Sequence, residues 1–116
     1  MPTADADGAR LYYEREGDGE PVLFVPEAGC GAWLWAWQHA AVAGPFEAVA
    51  FDPRGVGRST GGVDADVDVD ALAADCEAVL AAAGARRAHL VGAGLGGMVA
   101  LQYARDYGRE IGRAHV

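Results

Sequence analysis

Phe51-Asp52-Pro53-Arg54-Gly55-Val56-Gly57-Arg58-Ser59 is the stretch on which the reading of this chain turns. It opens at the end of a short apolar run, Glu47 to Phe51, of the kind that forms a strand buried on both faces. It then passes directly into a carboxylate, two guanidiniums and the first two of the loop's four glycines, Gly55 and Gly57. A tight glycine loop carrying one acid and two arginines can satisfy its own backbone and charges, so a structural role is expected for Asp52, Arg54 and Arg58.

Working outward, Val22 to Val25 is a second buried strand, and Ala9 to Arg15 alternates around Leu11 and Tyr13 as a half-exposed one. Gly17 to Pro21 reads as a turn and Pro26 to Gly31 as a glycine-bearing loop. Trp33, Trp35 and Trp37 begin a short helix that Gly44-Pro45 ends. Downstream, Val69, Leu72, Cys76, Val79 and Leu80 share a helix face, with Asp68 or Asp66 as N-cap and Gly84 past the end. Ala88 to Val91 is the next strand. The turn Gly92 to Gly97 leads into a helix through Met98, Leu101, Gln102 and Tyr103 that Gly108 closes. The order β, β, α, β, α, β, α predicts an α/β fold with a doubly wound, mostly parallel sheet.

Two readings compete at Gly92-Ala93-Gly94-Leu95-Gly96-Gly97. Gly92, Gly94 and Gly97 fit the dinucleotide fingerprint G-x-G-x-x-G between a strand and a helix. That fingerprint belongs to a first βαβ unit, whereas this strand is the fourth, and 17 glycines in 116 residues make chance matches cheap. Alternatively, Gly92, Gly94 and Gly96 fit a nucleophile elbow, G-x-S-x-G, with glycine at the nucleophile position.

The upstream loop favours the elbow. Asp52 to Ser59 resembles the D-x-R-G-x-G-x-S loop of α/β-hydrolases. Leu11 to Val25 is similar to that family's opening strands, and Gly31 to Trp37 to its first helix. The resemblance covers residues 8 to 108 and implies the N-terminal part of an α/β-hydrolase sheet, truncated after the elbow helix. It also implies a parent acting on small-molecule esters, lactones or C–C bonds without a metal or organic cofactor, through an elbow nucleophile and an oxyanion held by backbone N–H groups.

Departures from the family pattern bear on that chemistry. Gly94 stands at the nucleophile position between Gly92 and Gly96-Gly97. The family's His-Gly after the third strand is Pro26-Glu27 here, leaving the N–H groups of Ala28 and Leu95 as oxyanion donors, with Glu27 opposing negative charge beside them. Asp106 and Glu110 come too early to be the triad acid. His39 and His89 precede the elbow and read as ordinary surface or element-end residues. The expectation is a catalytically incompetent chain, a pseudoenzyme; the alternatives are a non-catalytic ligand-binding relative and the dinucleotide unit. The tryptophans could line an apolar pocket, but packing of the first helix is the favoured reading.

Seventeen acidic residues face nine arginines and no lysine, a net charge of −8 that speaks against nucleic acid and anionic membranes as partners. Such a composition suits a high-salt solvent, and a high-GC codon bias would also produce it. No apolar run reaches membrane-spanning length and no signal peptide is visible, so a cytoplasmic location is expected. Cys30 and Cys76 fit no metal spacing and read as free thiols.

Residues 1–8 are expected to form a flexible N-terminus and 9–110 a partial hydrolase domain. The string Ile111-Gly112-Arg113-Ala114-His115-Val116 is similar, codon for codon, to a translated short-read sequencing adapter, so 111–116 reads as a non-native tail. With no sixth strand, the Ala88–Val91 strand is expected to be an open edge through which the chain self-associates.

Overall fold

A computed structural model describes residues 2–61, 68–85 and 87–108, together with the backbone of 111–115. The strands are β1 (Thr3–Ala6), β2 (Ala9–Glu16), β3 (Glu20–Val25), β4 (Phe46–Phe51), β5 (Ala88–Gly92) and β6 (Ile111–His115). The helices are α1 (Ala36–Val42), entered through a 3₁₀ turn at Ala32–Trp35, α2 (Val69–Ala82) and α3 (Leu95–Asp106). One sheet contains all six strands in the order β1-β2-β4-β3-β5-β6. The first two pairings are antiparallel and the three around β3 and β5 are parallel.

The parallel centre follows from the buried runs. Leu23 and Val25 face one layer, with Leu11, Val49 and Phe51, under Cys76, Val79 and Leu80 of α2 and Val99 and Tyr103 of α3. Val22 and Phe24 face the other layer, with Ala48 and Ala50, under Ala32 and Trp35. Strands apolar on both faces need cover on both, and the crossover helices supply it. The helix limits have local causes. The Asp68 carboxylate accepts from the Ala71 N–H at 2.9 Å as the N-cap of α2. Asp66, the other candidate cap, lies outside the described residues. Gly84, at φ +76, follows the last turn.

The chain departs from the expected layout at both ends. Instead of a flexible stretch over 1–8, Thr3–Ala6 pairs antiparallel with β2, Ala4 opposite Leu11. Ala4 is buried with the core, and that burial anchors a segment whose acidic composition gives no strand signal. Instead of an open Ala88–Val91 edge, Ile111–His115 pairs parallel with β5, with a register shift between Ala88 and His89. α3 returns the chain to that edge, where the unpaired backbone groups of β5 take a partner whatever its side chains. The outer edge of the sheet is therefore β6.

Topology fixes where a site can form. The chain leaves β3 toward β4 on one side, then crosses to β5 on the other. The strand order thus reverses at β3, and the loops after β3 and β5 meet at the carboxyl ends of adjacent parallel strands. In open α/β sheets that crevice is where ligands sit.

Candidate active site

β5 ends at Gly92, and the chain turns through Ala93 and Gly94 into α3. Gly94 takes φ +56 and ψ −123, a conformation costly to any residue with a Cβ. The neighbouring glycines serve close approach. A Cβ on Gly92 would meet the backbone of Gly96 and Gly97, and one on Gly96 would meet the carbonyls of Val25 and Pro26. The first turn of α3 therefore lies directly against the end of β3, and Gly97 closes it by donating to the Gly94 carbonyl at 3.0 Å. This is the strand-turn-helix geometry of an elbow, with no side chain at its summit.

The loop after β3 turns between Glu27 and Cys30, whose N–H donates to the Glu27 carbonyl at 3.0 Å. That turn directs the Glu27 side chain across the crevice to the elbow. Glu27 Oε1 accepts from the Ala28 N–H at 2.8 Å and from the Leu95 N–H at 2.8 Å. These are the two N–H groups that the family resemblance implied as oxyanion donors. The hole is instead filled by the chain's own carboxylate, because two convergent N–H donors are a good seat for an anion within reach. The Leu95 N–H, then that of Ala28, lowers the Glu27 pKa from the usual carboxylate value. Glu27 Oε2 lies nearest the place where a Cβ on residue 94 would stand, so the two could not coexist without a shift. Beside this carboxylate opens a cavity of about 310 Å³ with Phe51, Val56, Leu72 and Val99 among its walls. Asp68 and the Arg54–Asp75 pair also line it.

The Asp52–Ser59 loop forms the adjoining wall and is braced from within. Asp52 is buried; its Oδ1 accepts from the Ala32 N–H at 2.7 Å and its Oδ2 from the Arg58 N–H at 3.0 Å. Ser59 donates its hydroxyl to the Asp52 carbonyl and accepts from the Tyr12 N–H at 2.9 Å. Gly55 (φ +74) and Gly57 (φ +55) make the loop's left-handed turns. The Arg58 guanidinium lies 4.9 Å from the centre of the Tyr12 ring. Arg54 reaches away, donating to both carboxylate oxygens of Asp75 at 2.7 Å each and to the Asp7 carbonyl at 2.9 Å. Sequence reasoning missed Asp75, which sits on the α2 face read as apolar. Its signal was an acid beside Cys76 in an otherwise hydrophobic stripe.

The remaining candidates lie apart from the crevice. His89 pairs with Glu20 at 2.7 Å near the opposite end of the sheet, and this pairing lowers the Glu20 pKa. His39 is buried against the Phe24 ring rather than on the surface, 6.4 Å between centroids, because the short α1 turns it onto the sheet. Trp35 packs on Phe24 at 5.3 Å, whereas Trp33 and Trp37 are 65% and 86% exposed, so one of the three packs as expected. None of them lines the cavity. Cys30 and Cys76 are free, and burial pushes the Cys76 thiol far up, out of the reactive range. Among the described residues no helix is long and apolar enough to cross a membrane, and no three metal-binding side chains converge. The dinucleotide reading loses its anion seat, since Glu27 already holds the Leu95 N–H and would repel a pyrophosphate there.

A family model described as alpha/beta hydrolase fold matches residues 21–115. A protein of Azorhizobium caulinodans named for carbamate hydrolysis, RutD, is 36% identical over 104 residues, covering 90% of this chain and 39% of that protein. N-formylmaleamate deformylase of Pseudomonas putida is 35% identical over 100 residues, 85% of this chain and 37% of its own. Among solved structures, an N-acyl homoserine lactone degrading enzyme superposes with a TM-score of 0.89 at 31% identity, over 95% of this chain and 42% of that one. The chain thus spans 37–42% of the length of these proteins.

Proposed function

The chain belongs to the α/β-hydrolase fold family, and from that premise we propose that it carries the elbow half of a small-molecule hydrolase frame in which serine-type catalysis has been lost. The whole protein's substrates, on this reading, are small esters, lactones or related acyl compounds, in keeping with relatives named for carbamate, formyl-amide and lactone chemistry. The observation that carries the reading is the Glu27 carboxylate on both the Ala28 and Leu95 N–H groups, beside a Gly94 that offers no nucleophile. A serine hydrolase needs those donors free for the charge that develops on the substrate carbonyl, and losing one such donor alone costs ~10²–10³ in rate.

The purified chain and its Gly94→Ser variant are therefore expected to hydrolyse 4-nitrophenyl acetate no faster than buffer. Turnover above buffer by the unaltered chain overturns the reading. The cavity of about 310 Å³ favours a second reading, a ligand-binding relative of the fold, because it supplies an apolar pocket whether or not chemistry follows.

A further inference from the structure

We propose that the crevice cavity is a receptor for a small primary ammonium ion with an apolar body, held by Glu27 through Oε2. This rests on the ligand-binding reading above and deepens it by naming the ligand class. Glu27 lines the cavity, and its two oxygens are in different states. Oε1 accepts from the Ala28 and Leu95 N–H groups at 2.8 Å each, whereas among the described residues nothing donates to Oε2. The Leu95 N–H, then that of Ala28, keeps the carboxyl below the usual carboxylate range, so it is charged at neutral pH. A carboxylate oxygen left without a donor takes one from whatever enters beside it, and a charged donor binds it more strongly than a neutral one.

The rest of the lining selects the charge of the ligand. Arg54 donates to both oxygens of Asp75 at 2.7 Å each, so these two opposite charges offset each other. Glu27 and Asp68 are the other charged residues of the described lining, and both are acids. Asp68 caps α2 through Oδ1 and adds its charge to the same field. An anion would meet that field and find the N–H pair already taken. A bare or hydrated metal ion fares no better, because among the described residues no three metal-binding side chains converge. The walls formed by Phe51, Val56, Leu72 and Val99 reward an apolar body instead.

Donor chemistry and size narrow the class further. A primary ammonium carries three N–H donors, any of which can meet Oε2. A quaternary ammonium has none and is recognised by a cage of aromatic faces. Phe51 is the one aromatic side chain in the described lining, so that cage is missing. A cavity of about 310 Å³ is at the small end for ligand pockets and suits a single ring or a short alkyl chain. Gly94 is what lets the carboxylate sit there, since a Cβ on residue 94 would collide with Oε2.

The test is calorimetric titration of the 116-residue chain at pH 7 with ligands that share a cyclohexyl body. Cyclohexylamine should bind about tenfold tighter than cyclohexanol or N,N,N-trimethylcyclohexylammonium, the margin of one charge-assisted hydrogen bond. Cyclohexanecarboxylate should bind more weakly than the alcohol. Glu27→Gln should bring the amine down to the level of the alcohol. In the unaltered chain the Glu27 Cδ resonance should move further with the amine than with the alcohol, which reads the seat even where the variant fails to fold. Tighter binding by the carboxylate or the quaternary ion, a preference for the amine that Glu27→Gln keeps, or a Cδ resonance that ignores the amine overturns the proposal. Equal binding of amine and alcohol also overturns it but leaves the ligand-binding reading standing, whereas binding by none of the ligands removes both.

Discussion

At residue 94 the backbone takes φ +56 and ψ −123 without a side chain, and Glu27 Oε2 stands in the space a side chain would use. Gly94→Ser therefore meets both a strained conformation and an occupied site, and about 1–3 kcal/mol of destabilisation is expected in urea unfolding. Adding Glu27→Gly should recover part of that loss, because the two residues share one space and their effects should not add. Glu27 also gives a pH signature. A carboxyl whose folded pKa is depressed stabilises the fold above its unfolded value, about 4.3, and that contribution disappears as pH falls through the folded value. Thermal melts of the chain and of Glu27→Gln should accordingly differ at pH 7 and converge as acid protonates the Glu27 carboxylate, below the usual carboxylate range. The family resemblance implied that the Ala28 and Leu95 N–H groups act as a pair, and both donate to one carboxylate oxygen. That Glu27 would seat itself on them was not legible, since it depends on a loop turn that brings residues 27 and 95 together.

Between elements, the connection that matters most is the one from the Asp52–Ser59 loop to α2. Arg54 and Asp75 are 10% and 3% exposed and joined by two hydrogen bonds of 2.7 Å. Asp75→Ala removes the carboxylate that holds a buried guanidinium through two hydrogen bonds, and about 3–5 kcal/mol should be lost in urea unfolding. The conservative Asp75→Glu should lose less. Asp68→Ala removes a single exposed cap and should cost about 1 kcal/mol. α2 was legible from its 3.6-residue period, its cap and Gly84. Asp75 was not, because period alone marks a face as buried without saying that a charge in it has a partner two elements away. β1 and β6 were missed for a related reason. β1 is held by backbone pairing and one buried alanine, Ala4, and β6 by backbone pairing, and Thr-Ala-Asp-Ala or Gly-Arg-Ala-His residues carry no apolar alternation to announce it.

Across the whole molecule, two apolar layers enclose a sheet whose strand order reverses at β3, and the reversal places Glu27 and the elbow in one crevice. Leu23, fully buried in the middle of β3, supports that arrangement, and Leu23→Ala should cost about 2–5 kcal/mol. The family frame was legible because its signals are local and repeat along the chain, as buried runs, glycine turns and the Asp52–Ser59 loop. What the frame does chemically depends on one contact between distant loops, and that contact can be read in solution. A pH series of amide spectra should show the Ala28 and Leu95 N–H resonances moving together with a single midpoint below the usual carboxylate value, and losing that transition in Glu27→Gln. Two amides that ignore pH, or that titrate apart, would contradict the account, because Glu27 would then not occupy the site.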